Sequence, residues 1–340
     1  MKNLITSTPA TVKGIMKKFF ATSAMLGLFC LFHKPAIAHA ETYPSRPVRI
    51  VVPFAPGGSN DVVARLVAER LTQRWKQAVI VENKPGAGGN IGAEAVAKSP
   101  KDGYTLLLSG SSLACINPQL YKKAKFDGVN DLPLVTPLGF VPIVLVVNPS
   151  VPAKTVPELI AYGRKRSGGL FYGSGGAGTP QHLSGEMFGA ATGVNMVHVP
   201  YKGNVPALTD LMAGQIEVMF SPINSVASLI KAGKVRAIAA AGAGRMADLP
   251  ELPTIAEAGV AGYDSSLWLA LAVPKGTPKA ITDKLDQEIR QIMGEAQIKE
   301  KLDQQGIAGI TAPDAEFQDM ARKDCARWAK IIKEAKVSAE

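Results

Sequence analysis

From residue 48 onward the chain alternates short apolar runs with amphipathic stretches, and that alternation predicts its elements. Residues 48–52 form an apolar strand, and Pro56-Gly57-Gly58-Ser59-Asn60 then turns the chain. Val63, Val67, Leu71 and Trp75 recur at every fourth position, which predicts a helix from about Asp61. Residues 79–82 read as the next strand, 91–97 as a short helix and 104–108 as a third strand. A β-α-β-α-β order is the signature of a parallel sheet with helices on its faces.

The pattern changes after residue 130. Pro133, Pro137 and Pro142 are expected to break up the segment leading into the apolar run 143–147. Thr155-Val156-Pro157-Glu158 reads as a capping box with proline in the first helical turn. The helix it opens ends in Arg164-Lys165-Arg166 and Gly168-Gly169, cations and glycine where a helix C-terminus favours them. A second alternating series follows: strands at 170–172, 196–199, 216–220 and 235–240, with helices near 181–190, 206–213 and 225–232. Residues 267–273 are again strand-like, and amphipathic helices close the chain, marked by Ile281, Leu285, Ile289, Ile292 and Met293 and by Phe317, Met320, Trp328 and Ile332. The economical arrangement is two α/β domains, residues 41–143 with 265–340 and residues 144–264, the chain crossing near 143–147 and returning near 267–273. Two crossings without a flexible linker imply a hinge, and a cleft between such domains is where ligands bind.

The first forty residues read differently. Lys2, Lys13, Lys17 and Lys18 precede an apolar run from residue 19 to 32, and Ala38-His39-Ala40 stands directly before Glu41. This is the pattern of a cleavable secretory signal peptide, too short to span a bilayer, which needs about 20 residues. Bulky Phe29 before Cys30 disfavours a lipoprotein anchor. Export predicts a periplasmic protein. Losing residues 1–40 removes five lysines and no acid, so the formal charge falls from +10 to +5. The excess is spread along the chain, without the basic stripe of a nucleic-acid binder. Cys115 and Cys325 then remain, and an exported chain permits either a disulfide or a buried free thiol.

Two glycine-rich loops sit at strand-to-helix junctions, residues 53–61 and 172–182. Glycine lets backbone approach a ligand closely, and the first N–H groups of the following helix have no partner within it. With the helix dipole they make an anion site, where Ser59, Asn60, Ser174 and Thr179 cap the helix or bond the anion. One loop from each domain, facing across the cleft, would hold a dicarboxylate or a carboxylate with a polar tail. Pro85-Gly86-Ala87-Gly88-Gly89 is a third glycine-rich turn, but it lacks the dinucleotide fingerprint and is expected to be a tight structural turn. Tyr201 and Lys202 are placed to close the cleft, and Ser109, Ser111 and Ser112 lie at a strand's carboxyl end, where open sheets bind ligands. Neither a metal-ligand spacing nor a nucleophile elbow is present, so no cofactor, no metal and no enzymatic activity are expected. A hydrolase using Ser174 and His182 is the sharpest competing enzyme reading.

The segments PFAPGGSNDVVAR (53–65), VENKPGAGGNIGAE (81–94), YGSGGAGTPQHLSGE (172–186), HVPYKGNVPALTDLMAGQIEVMF (198–220) and LPELPTIAEAGVAGY (249–263) resemble the Bug-type receptors, the substrate-binding proteins of tripartite tricarboxylate transporters. The resemblance implies a periplasmic-binding-protein fold, two α/β domains joined by two crossing strands with the ligand cleft between them. It implies a small organic carboxylate as ligand and the membrane permease subunits of such a transporter as partner. A sensor of the same fold that signals to a membrane kinase is the alternative. In that family the loops matching 53–60 and 174–182 hold the carboxylate. The expected ligand-binding set is therefore Phe54, Gly57, Gly58, Ser59, Asn60, Ser111, Ser174, Gly178, Thr179, Gln181, His182, Tyr201 and Ser221. Ser221 is a departure, because many relatives carry aspartate there. The exchange predicts a carboxylate without a nearby positive charge, since a buried ammonium needs an acidic partner.

Overall fold

The computed structural model describes residues 43–121, 124, 126–246, 249–310, 312–334 and 337; the predicted signal peptide lies outside them. The first sheet begins with β1 (Val48–Val52), flanked in parallel by β2 (Val79–Asn83) and β3 (Thr105–Gly110). Helix α1 (Ser59–Trp75) connects β1 to β2, burying Val63, Val67 and Leu71 as the four-residue spacing requires. Helix α2 (Asn90–Ala97) makes the next crossover. Val51, Leu106, Leu107 and Leu108 are fully buried, as expected of parallel strands covered on both faces.

Of prolines 133, 137 and 142, only Pro142 breaks the following segment. Residues Leu134–Val141 form one strand, β4, antiparallel to β10 (Leu267–Ala272). The pairing shifts register between Leu269 and Ala270, whose partner is Pro137, so the residue without an N–H sits at an irregularity of the ladder. The two-residue β11 (Ala308–Gly309) pairs with β4 at Phe140 and Gly139. The sheet order is β11-β4-β10-β3-β1-β2.

Pro142 separates β4 from β5 (Ile143–Val147), the first strand of a second sheet. Helix α3 (Val156–Arg164) follows, with Thr155 Oγ1 accepting from Glu158 N at 3.3 Å, and Glu158 reaching back to Lys154 N at 2.7 Å. Then come β6 (Leu170–Ser174), α4 (Pro180–Thr192), β7 (Met196–Pro200), α5 (Asn204–Ala213), β8 (Val218–Pro222), α6 (Ile223–Lys231) and β9 (Arg236–Ala240), in the order β7-β6-β8-β5-β9. Strands β6, β7 and β8 are parallel, and β5 runs against β8 and β9. Helix α5 starts at Asn204, two residues before the proline used to predict it. The chain returns through Ser265, whose N–H and hydroxyl both donate to Ala241 O, at 2.8 and 3.0 Å. Two α/β domains are thus joined by two crossings.

Helices α7 (Lys279–Gly294), α8 (Ala296–Asp303) and α9 (Asp314–Glu334) complete the fold, α7 against α1 and β4, α9 against the segment after β3. Trp268 and Trp328 are buried there and share Asp324 Oδ2 as acceptor, at 2.8 and 3.1 Å. Phe317 meets Trp268 edge-on at 5.5 Å. Cys115 and Cys325 are joined in a disulfide, which settles the choice left open above and staples α9 to the first sheet's layer.

Candidate functional site

Helix starts from both sheets converge on one cleft of about 630 Å³. From the first sheet come the starts of α1, at Gly57–Asn60, and α2, at Gly86–Gly89. From the second come α4 with Thr179–Gln181, α5 with Gly203–Pro206, and α6 with Pro222 and Ser225. The N-cap positions Gly58, Gly89, Gly203 and Pro222 supply no side-chain acceptor to the helix they begin. Their first-turn N–H groups and dipoles therefore act on whatever occupies the space in front. Among these five helices only α4 is capped by a side chain, Thr179 Oγ1 accepting from His182 N at 3.4 Å. Among the described residues no Asp or Glu lines the cleft, and Lys202 is the one charged side chain there. Phe54, Tyr121, Val141, Val205 and Leu267 give the cavity apolar walls.

The α1 loop is framed from beneath by a carboxylate. Buried Asp61 accepts from Gly57 N at 3.0 Å, Arg65 Nε at 2.9 Å and Asn83 Nδ2 at 2.9 Å. Asn83 Nδ2 also donates to Phe54 O at 3.1 Å. Burial alone would raise the Asp61 pKa, but Arg65, the Gly57 N–H and Asn83 outweigh it and hold the group below its ordinary value. Gly57 has φ +85°, a conformation only glycine adopts without strain. The frame holds the loop from below and leaves the N–H groups of Ser59 and Asn60 free.

The second loop is tied down from inside. Ser174 Oγ donates to Gly176 O at 3.0 Å and accepts from Gly176 N at 3.1 Å; Gly178 N donates to His182 Nδ1 at 3.1 Å. The His182 ring stacks on His198 at 3.8 Å between centroids, and His198 Nε2 meets Ser174 Oγ at 2.7 Å. Burial, helped by its neighbour His198, pushes the His182 pKa down to about 3; burial alone takes His198 to about 4. Both rings are neutral near pH 7. Tyr172 closes the network, donating to His182 O at 3.0 Å and to Glu186 Oε1 at 2.5 Å, and burial drives its phenol pKa far upward.

Of the residues expected to bind ligand, Phe54, Gly57, Gly58, Ser59, Asn60, Thr179, Gln181 and Tyr201 line the cleft. Ser111, Ser174, Gly178, His182 and Ser221 do not; they form the layer behind its wall, with Ser111, Ser174 and Ser221 fully buried. Ser112 lines the cleft in place of Ser111. Ser174 pairs with His198 and not with His182, and its buried hydroxyl is spent on its own loop, so the hydrolase reading has no accessible nucleophile. The turn at 85–89, expected to be purely structural, lines the cleft as well. Tyr201 donates to Asp210 Oδ2 at 2.7 Å, and burial together with that bond pushes its pKa up to about 12.

Sequence reasoning missed Tyr121, Asn204 and the Asp61–Asn83 frame. Tyr121 donates its hydroxyl to Ala177 O across the cleft and covers Gly88. Ser59 Oγ donates to Asn224 Oδ1 at 3.0 Å, a second bond between the two domains. No local pattern could have found either contact, since partners lie 56 and 165 positions apart. Among the described residues there is no cluster of metal-ligating side chains and no helix long and apolar enough to cross a membrane.

Comparison with known proteins shows the family and the fold. The family described as tripartite tricarboxylate transporter family receptor matches residues 63–337. Protein BugT of Bordetella pertussis is 36% identical over 296 residues, covering 87% of this chain and 91% of its own. An R. palustris protein, Rpa4515, solved with adipate, is 36% identical with a TM-score of 0.83, covering 87% of this chain and 99% of its own. The periplasmic binding protein BugD is 34% identical with a TM-score of 0.81, over 87% of this chain and 99% of its own. The matched family is thus one of transporter receptors, and BugD is a periplasmic binding protein.

Proposed function

Because the chain belongs to the tripartite tricarboxylate transporter receptor family, a family of solute receptors, we propose that it binds a small organic carboxylate in the periplasm and delivers it to the membrane subunits of such a transporter. The observation that carries this reading is the convergence of uncapped helix starts from both sheets on a cleft in which no described lining residue is acidic. An anion there gains from every dipole and meets no like charge. The carboxylate head sits at the α1 loop, where the N–H groups of Ser59 and Asn60 are open, with Thr179 and Gln181 opposite. The apolar walls take the body of the molecule.

In this reading residues 41–143 with 265–340 form one domain and 144–264 the other, and they close on the ligand about the crossings at Pro142 and Ser265. Contacts to both domains select the closed form, which the permease recognises. The bonds Tyr121–Ala177 and Ser59–Asn224 belong to that closed form. Residues 1–40 are the export signal.

Thermal unfolding of the protein, first freed of carried-over ligand, against carboxylates, amino acids and neutral sugars tests the proposal. A ligand at 100 times its Kd stabilises by about 2.7 kcal/mol, and the expected result is such a shift with acids and none with sugars. A shift with sugars and none with any acid would reject it.

A further inference from the structure

Asn204, the first residue of α5, lines the cleft, and its side-chain amide is only half used. Nδ2 donates to Ser221 Oγ at 3.0 Å, while the Ser221 hydroxyl donates to Pro222 O at 3.4 Å. With its proton turned to Pro222, the buried serine oxygen accepts from the amide, whose NH₂ group faces Ser221. Oδ1 is left buried and without a partner. Among the described residues, Asn204 is the one cleft-lining residue with such an atom. A buried acceptor without a donor is costly and uncommon in native proteins, and at a binding site the natural donor is the ligand.

The surroundings decide which donor. An ammonium brings a positive charge to a wall built from helix N-termini and Lys202, with no acid among the described lining residues to compensate it. The acids behind the wall are engaged: Asp61 with Arg65 and Asn83, Asp210 with Tyr201, Glu186 with Tyr172. A hydroxyl supplies the donor without the charge. We infer that Asn204 is a specificity-determining residue whose carbonyl oxygen accepts a hydrogen bond from a hydroxyl on the bound acid, so that the receptor selects hydroxy acids over amino acids of the same skeleton. The inference rests on the carboxylate reading of the cleft.

Matched triads separate the two. Calorimetric titration of the ligand-free protein would compare succinate, malate and aspartate, then 3-phenylpropanoate, 3-phenyllactate and phenylalanine, then longer-chain sets built alike. In each set that binds, the hydroxy acid is expected to bind about fivefold tighter than its parent, the worth of one hydrogen bond. The amino acid is expected to bind roughly a hundredfold more weakly than the hydroxy acid, for want of a counter-charge. Asn204→Ala should bring the hydroxy-to-parent ratio to about one, and Asn204→Asp should favour the amino member by providing the missing charge. Binding of the amino acid as tight as that of the hydroxy acid would overturn the inference, as would a hydroxyl preference that survives in Asn204→Ala. Acids that bind with no hydroxyl preference would refute this step alone. A protein that binds no acid in any set would refute the carboxylate reading, and this inference with it.

Discussion

Lowering the pH should unfold this protein through its stacked histidines before its carboxylates matter. His182 is held to a pKa of about 3 and His198 to about 4, against 6.5 for a free imidazole. Both folded values lie below the unfolded one, so unfolding takes up protons between about pH 6.5 and the folded values near 3 and 4. The stability they contribute is complete above that value and is lost as pH falls toward 4. Between pH 7 and pH 5 the loss comes to about 2 kcal/mol for buried His182 and less for half-buried His198, or about 3 kcal/mol together. That is a large share of the 5–15 kcal/mol typical of a native protein. Urea unfolding at constant ionic strength across this range measures it, beside a His182→Gln/His198→Gln variant. The variant should show a much flatter dependence. A wild-type loss under about 1 kcal/mol, or an equal loss in the variant, would refute the burial argument.

Two further outcomes follow from the fold. Replacing Cys115 and Cys325 by serine opens a loop spanning 210 positions, for which chain entropy gives a loss of about 5 kcal/mol, at the upper end of the usual range. Chemical denaturation of the variant, compared with wild type under oxidising and reducing conditions, should show a loss of at least about 2 kcal/mol that reductant reproduces. Gly88→Ala places a Cβ 2.7 Å from Tyr121 Oη and 3.0 Å from Ala177 O, at φ +64°. It should cost about 1–2 kcal/mol of stability and weaken ligand binding at least about tenfold by propping the cleft open, and titration with an acid that binds wild type would reveal unchanged affinity if the contact did not matter.

Strands with continuous apolar runs, such as Leu106–Leu108 of β3 and the whole of β5, were legible in the sequence because burial on both faces leaves its mark on successive positions. Helix α1 was legible from Val63, Val67 and Leu71. The glycine-rich loops were legible as candidate anion sites because glycine at a strand-to-helix turn has few other uses. What the sequence did not reveal is which loop keeps its N–H groups free. That depends on Thr179 and His182 satisfying one loop from inside while Asp61 supports the other from beneath. Both glycine runs look alike until those partners are placed. Pro137 misled because proline argues against a strand interior, and the irregular register that accommodates it is a property of the β4–β10 pair. The histidine stack, the disulfide and the Tyr121 contact all join distant positions, and a single sequence carries no local trace of such pairs.

The interleaved course of the chain also sets an order of assembly. Every strand of the second sheet lies between residues 143 and 240, so that sheet can form as soon as one continuous stretch has emerged. The first sheet cannot. Strands β1, β2 and β3 can pair with one another, but β3 and β4 must wait for β10 to join them, and Cys115 waits for Cys325, 210 positions later. The earliest segments of the folded chain are therefore among the last to be completed, with apolar β3 and β4 lacking their central neighbour until then. A chain truncated before residue 267 would retain a complete second sheet and half of the first, and so be a substrate for aggregation or proteolysis. The two crossings that let the cleft close are thus also what make an incomplete chain recognisable as incomplete.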